Sequence, residues 1–247
     1  MNPYKICIAI PIRSSSVEEN RKVLFKVENH SPDFIELRFD YIQDPNNLTF
    51  EFIRSLLDYS DIPMICTFRK YSEGGHCKIT DSERISIIKT IIKATPEFLD
   101  IEMDNSIDFI EEVVSLAAEK NIRLIFSHHN FTDTPKFKDM QKIISSFKLK
   151  LHGIQKIYKN FLNNFVWKLI FTANKFEDNL EVLKLCNTMA HENENIISFC
   201  MGEIGIFSRL LSVKMGGFLT YASLDDKTAP GQINIDYMRK FYKIFQN

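Results

Sequence analysis

The chain has 247 residues, close to the length at which eight β/α units close into a barrel, and its 45% hydrophobic and 26% charged residues exclude a disordered chain. A formal net charge of −1 offers no electrostatic footprint for nucleic acid or an anionic membrane surface, so a small-molecule partner is expected. No uninterrupted apolar stretch approaches the roughly 20 residues that span a bilayer.

From the N-terminus onward, short β-rich runs alternate with longer segments whose apolar residues recur at helical spacing. Strands are expected at 5–12, 34–41, 63–70, 98–103, 123–127, 165–172, 196–201 and 218–223. Between them lie helices such as 82–94, where Ile85, Ile88, Ile91 and Ile92 share a face, and 107–120, where Phe109, Ile110, Val113, Val114 and Ala117 do. The segment 139–164 is long for one barrel helix, and a break near Gly153 would divide it in two. Strict alternation favours a parallel sheet, and a count of eight favours closure over an open doubly wound sheet. No GxGxxG follows the first strand, which also lowers the open-sheet reading. The expected fold is α/β, a (β/α)₈ TIM barrel with parallel strands, formed as a single catalytic domain by residues 1–247.

Buried parallel strands normally read as near-continuous Val/Ile/Leu runs. Several strands here do not. The period of two in 34–41 places Ile35, Leu37 and Phe39 on one face and Glu36, Arg38 and Asp40 on the other. The same alternation sets Thr67 with Arg69, Asp100 with Glu102, and Ser127 with His129, and it points Lys168 inward between Val166 and Ile170. Ion pairs that fix the barrel register, or a misjudged strand phase, would account for any one strand. Buried charge is expensive unless paired, however, and such residues on five strands, late in each, point to a site at the end from which barrel active sites are built. The glycines agree with this. Gly74 and Gly75 follow the third strand, Gly202 and Gly205 follow the seventh, Gly216 and Gly217 precede the eighth, and Gly231 lies beyond it.

An unperturbed lysine is nucleophilic at neutral pH in only on the order of one molecule in a thousand, a handicap of roughly 4 kcal/mol. Burial of Lys168 beside Arg38, Arg69 or Arg209 would depress its pKa and suit it to attack a ketone. The resulting iminium acidifies the adjacent C–H, for which a neutral histidine is the natural base, and His129 is the best placed. His128 should face the other side of the same strand, and His30, His76, His152 and His191 fall in helices or loops. Cys7, Cys66, Cys77, Cys186 and Cys200 form no CxxC pair, which argues against a disulfide framework and a zinc site and suits a reduced, cytoplasmic enzyme. With a strand starting almost at the first residue and the sequence ending soon after the eighth helix, neither a signal peptide nor a fused second enzyme is expected.

Together the residues resemble one family. Glu36-Leu37-Arg38, Thr67-Phe68-Arg69 followed by Glu73-Gly74-Gly75, Ser127-His128-His129-Asn130-Phe131, Lys168, Met201-Gly202 through Ser208-Arg209, and Ala229-Pro230-Gly231-Gln232 look like type I 3-dehydroquinate dehydratase from the second strand to the last loop. The resemblance implies a lyase that dehydrates 3-dehydroquinate to 3-dehydroshikimate in the shikimate pathway of aromatic amino acid biosynthesis, with no metal or other cofactor. It implies that Lys168 forms the imine, that His129 removes the neighbouring proton and protonates the departing hydroxyl, and that Glu73 orients or tunes the histidine. Arg209 would bind the substrate carboxylate with Gln232 and Thr228, while Glu36, Arg38 and Arg69 would hold the ring hydroxyls, and a loop around 228–232 would close over the site. A homodimer is implied too. The chain departs from the family pattern at Asn130, where an acid is usual, at Thr228, where serine is usual, and at Ala9, which can be serine. Two competing readings keep the pocket but change its use: a class I aldolase sharing Lys168, and a non-catalytic ligand-binding barrel.

Overall fold

The period-two strands pair in sequence order, all parallel, with helices in the connections. In the computed structural model, which describes residues 4–224 and 231–244, the elements are β1 (Ile6–Pro11), α1 (Val17–Glu28), β2 (Phe34–Arg38), α2 (Phe50–Leu57), β3 (Met64–Thr67), α3 (Asp81–Lys93), β4 (Phe98–Glu102), α4 (Ile107–Glu119), β5 (Arg123–His129), α5 (Phe137–Leu162), β6 (Val166–Thr172), α6 (Glu177–His191), β7 (Asn195–Met201), α7 (Ile206–Leu211), β8 (Thr220–Ala222) and α8 (Ile235–Ile244). The sheet runs from β7 down to β1 and on to β8, and the Phe218 N–H joins the remaining seam by donating to the Ile196 carbonyl at 2.6 Å. The result is a nearly closed (β/α)₈ barrel.

Helix starts follow the caps in the sequence. The Thr80 hydroxyl accepts the Glu83 N–H while the Glu83 carboxylate accepts the Thr80 N–H, a reciprocal box that opens α3. Ser106 caps α4 in the simpler way.

Several boundaries differ from the sequence expectation: β3, expected over 63–70, covers only Met64–Thr67 and leaves Arg69 just beyond it, and three other differences bear on the site or the outer layer. Strand β2 stops at Arg38, because Phe39–Tyr41 turn into a 3₁₀ helix that buries Asp40 beneath Arg38. Strand β5 runs on to His129, so both histidines lie on the strand itself. The long segment is one helix, α5, whose break in dihedrals falls at Tyr158 (φ −111°, ψ 32°) and not near Gly153. Gly153 sits on an exposed face, where glycine costs only about 1 kcal/mol, whereas the Tyr158 hydroxyl is drawn to Ser115 of α4 at 2.9 Å.

Alternate strands fill the barrel in layers of four. Phe34, Phe98, Val166 and Leu219 form the lowest even-strand layer, and Cys7, Ile65, Ile125 and Ile197 form the odd-strand layer above it. Phe218 closes the bottom against Phe34 and Phe98, with ring centroids 5.6 and 6.1 Å away. The next even-strand layer is Glu36, Asp100, Lys168 and Tyr221, joined through the Lys168 amine. The barrel interior thus changes from dry to charged within one layer, and the site stands on a packed apolar floor.

Candidate active site

The position of Lys168 on β6 brings its amine to the barrel axis, where Nζ donates to Asp100 Oδ2 at 2.8 Å, to Tyr221 Oη at 3.0 Å and to Glu36 Oε1 at 3.3 Å. The sequence reading expected guanidinium neighbours. Two carboxylates and a phenol touch the amine instead, because the even-strand layer places β2, β4 and β8 side chains around it, and Arg69 meets the amine only through Asp100 Oδ2, which accepts from both at 2.8 Å. Glu36 is held by the Thr67 hydroxyl at 2.6 Å as well.

Arg69 is buried in a network of acids. Its Nη2 donates to Asp100 at 2.8 Å, and its Nη1 donates to Glu102 at 3.1 Å and to the Ser127 hydroxyl at 2.5 Å. Glu102 also takes Arg84 of α3 and the Lys70 N–H. Burial opposes charge on both partners, but the Asp100 and Glu102 carboxylates outweigh it and hold Arg69 well above its ordinary value, and Arg69 with Lys168 hold Asp100 below the carboxylate range. This cluster is a set of paired charges, as buried charges must be.

His129 leaves the end of β5 toward Glu73 in the turn after β3. Its Nδ1 lies 2.9 Å from Glu73 Oε2, which also accepts the His129 N–H at 3.0 Å. Burial, with the positive charges of Arg69 and Lys168, holds the imidazole well below its usual pKa of 6.5. Burial pushes Glu73 up to about 8, against the pull of Arg69. A neutral histidine backed by an acid is an arrangement suited to moving a proton. Phe131 stacks beside His129 at 6.3 Å, and Gly74, at φ +80°, makes room for it, since a Cβ there would come within 2.5 Å of the ring.

One pocket is lined by Glu36, Arg38, Arg69, Glu73, His129, Lys168, Arg209 and Gln232, so eight of the nine side chains named from the sequence meet in it. Thr228, the ninth, lies outside the described residues. Arg38 is anchored by two 2.8 Å bonds to Asp40. Arg209, on α7, lies over the Phe199 ring at 4.2 Å, and burial pulls it down to about 10, still cationic at neutral pH. Among the described residues no group of three or more His, Cys, Asp or Glu is arranged to hold a metal ion.

Sequence reasoning missed Tyr221 and gave no role to Asp40 or Asp100. Asp40 accepts the Arg69 and His76 N–H groups and so ties the β2 and β3 turns together. The charged inner face was a signal for both acids. Tyr221, in a short apolar strand, carried none.

The sequence matches the family model for type I 3-dehydroquinase over residues 8–247. The chain belongs to the type I 3-dehydroquinase family. It is accordingly a lyase of that family. A 3-dehydroquinate dehydratase of Thermococcus onnurineus is 30% identical to it over 91% of this chain and 93% of its own length. One from Methanococcus maripaludis is 33% identical over 86% of this chain and 88% of its own. The crystal structure of a type I 3-dehydroquinate dehydratase from Clostridium difficile with covalently modified comenic acid is 27% identical and superimposes with a TM-score of 0.82, covering 98% of this chain and 92% of that one.

Proposed function

We propose that this protein dehydrates 3-dehydroquinate to 3-dehydroshikimate through an imine on Lys168. The observation that carries the reading is the convergence, in one pocket above an apolar floor, of a buried lysine amine, a histidine–carboxylate pair and a buried arginine. The amine adds to the ketone and water leaves, giving an iminium that draws electrons from the neighbouring carbon. His129, with Nδ1 engaged by Glu73, uses Nε2 to take the proton from that carbon, and an enamine forms. The histidine returns the proton to the β-hydroxyl, which departs as water, and a second water releases the product from Lys168. Arg209 and Gln232, with Thr228, bind the carboxylate that distinguishes this substrate from a sugar phosphate. Glu36, Arg38 and Arg69 face the ring hydroxyls, Arg69 within the charge it shares with Asp100 and Glu102. The reaction needs no cofactor, since side chains supply the nucleophile and the acid/base.

Residues 1–247 act as one catalytic domain. Five free thiols support a cytoplasmic location. An exposed apolar patch on α6 and α7, where Phe176 meets Phe207 at 5.0 Å beside exposed Leu180 and Ile204, supports a homodimer. No helix of the described residues is long and apolar enough to cross a membrane.

Borohydride reduction in the presence of 3-dehydroquinate, followed by peptide mapping, tests the reading. A reduced adduct confined to the Lys168 peptide, absent in Lys168→Ala, is expected. His129→Ala should still give the adduct but lose turnover by at least about 10²-fold. A folded protein that leaves the substrate intact and gives no adduct overturns the mechanism.

A further inference from the structure

We infer that Tyr221 is a further catalytic residue, whose hydroxyl carries protons between the Lys168 amine and the Glu36 carboxylate while the imine forms and is hydrolysed. The inference rests on the Lys168 imine proposed above. Tyr221 is the β8 member of the even-strand layer, inside the barrel, and its Oη accepts from Lys168 Nζ at 3.0 Å, while the same Nζ reaches Glu36 Oε1 at 3.3 Å, so that phenol and carboxylate flank one amine. Its ring lies 4.8 Å from Nζ and 6.1 Å from the Phe199 ring, which fixes the direction of the hydroxyl.

A lysine paired with two carboxylates must give up a proton before it can attack. Asp100 is a poor acceptor, since Arg69 and Lys168 both favour its ionised form. Glu36 is the other acid in contact, but at 3.3 Å its direct bond to Nζ is the longest the amine makes. The phenol makes the shorter contact with the amine and stands beside Glu36, so it can pass the proton on. Burial and the Glu36 charge push the Tyr221 hydroxyl well above its ordinary value, so it remains a neutral group that accepts one proton only as it donates its own.

The proton count closes on these three residues. The ammonium passes a proton to the tyrosine oxygen as the tyrosine proton moves to Glu36. The free amine then bonds to the ketone carbon, and the π pair moves to oxygen, which takes the second proton from the new ammonium. Glu36 returns the first proton through Tyr221 to the carbinolamine hydroxyl, and water leaves as the nitrogen lone pair forms the C=N bond. Two of the three ammonium protons thus depart in water, and no outside acid or base is consumed. Hydrolysis runs the same path backwards.

The test uses Tyr221→Phe, which keeps the ring, and Glu36→Gln, each in the His129→Ala background where the reaction stops after imine formation. Adduct accumulation on Lys168 is followed by rapid mixing with 3-dehydroquinate and quenching with borohydride. Tyr221→Phe is expected to slow accumulation by about 10- to 100-fold, within the range for a positioned proton carrier. Combining it with Glu36→Gln should add little, because both break one relay. With His129 intact, Tyr221→Phe should lower kcat with little change in KM, and substrate deuterated at the abstracted position should lose its isotope effect as imine formation becomes limiting. A merely structural role would not move that isotope effect. Unchanged adduct accumulation, fully additive losses, or a lowered kcat with the isotope effect intact would each overturn the relay. If the parent protein forms no Lys168 adduct, the imine reading fails first and the relay with it.

Discussion

His129 Nδ1 and Glu73 Oε2 stand 2.9 Å apart, and the same oxygen accepts the His129 backbone N–H at 3.0 Å. While Glu73 keeps its proton it donates to Nδ1, and the neutral ring then carries its hydrogen on Nε2, where a base is needed. Ionised Glu73 accepts from Nδ1–H, and Nε2 presents its lone pair. With Glu73 raised to about 8, kcat/KM should therefore fall along an acidic limb centred near pH 8, and Glu73→Gln should abolish that limb while lowering kcat. A pH–rate profile of the two proteins checks this, and an unmoved limb would assign it to another group. Stability should respond in the opposite sense. The folded chain binds the Glu73 proton more tightly than the unfolded chain, so this stabilisation is complete below the ordinary value of 4.5 and is lost as pH rises through about 8. Relative to Glu73→Gln, wild type should lose thermal stability across that interval.

Asn130, where the family usually has an acid, makes a different connection. Its Oδ1 accepts from the Thr132 N–H at 2.8 Å, the Thr132 hydroxyl at 2.6 Å and the Asp133 N–H at 3.1 Å, which closes the turn after β5. A carboxylate could accept the same three bonds, losing only the Asn130 Nδ2 donation to Asp133 Oδ1 at 2.8 Å, and all of these partners lie within the turn. Asn130→Asp should therefore leave the acidic limb within about 0.3 pH units of wild type, well short of the ~1 unit that separates typical perturbed groups. A larger displacement would mean that residue 130 acts on His129 directly.

Much of this was legible in the sequence, and what escaped was set by partners far along the chain. The period of two in β2, β4 and β6 placed Glu36, Asp100 and Lys168 inside the barrel without any structure. It could not say that they share one layer, because Glu36 and Lys168 are 132 positions apart and meet only when the barrel closes. Tyr221 reads as an apolar strand residue until its hydroxyl is seen against Nζ. Tyr158, where the break falls, likewise meets its partner Ser115 only across the preceding helix, whereas Gly153, the residue that composition singles out, has nothing within 4 Å of its would-be Cβ.

Arg209 offers a fixed cation to the pocket. Its burial pulls it down to about 10, so bringing a carboxylate into the pocket would offset part of the cost of its desolvation. Arg209→Ala should raise KM by at least about 10-fold, the loss expected for a charged hydrogen-bonding partner, with a smaller effect on kcat. Arg209→Lys should recover only part, since a point charge lacks the two-pronged fit to a carboxylate. Steady-state kinetics decide between these, and an unchanged KM in Arg209→Ala would remove the carboxylate assignment.

The backbones of Gly202, after β7, and Gly231, after β8, approach closely, and Gln232, the next residue, lines the pocket. Both glycines have positive φ, +83° and +75°, but their surroundings differ. A Cβ on Gly231 would lie 2.2 Å from the Gly202 carbonyl oxygen and 2.8 Å from its carbon, whereas a Cβ on Gly202 would find nothing nearer than 3.9 Å. Gly202→Ala should thus cost only the backbone strain of about 1–2 kcal/mol and leave KM near wild type. Gly231→Ala bears the same strain and must also push the two loops apart, displacing Gln232. KM should rise several-fold in Gly231→Ala alone, with borohydride still trapping the Lys168 adduct at saturating substrate, because the lysine, its layer and the floor beneath it are untouched. Equal KM values in the two variants would show that Gln232 reaches the substrate without help from this contact.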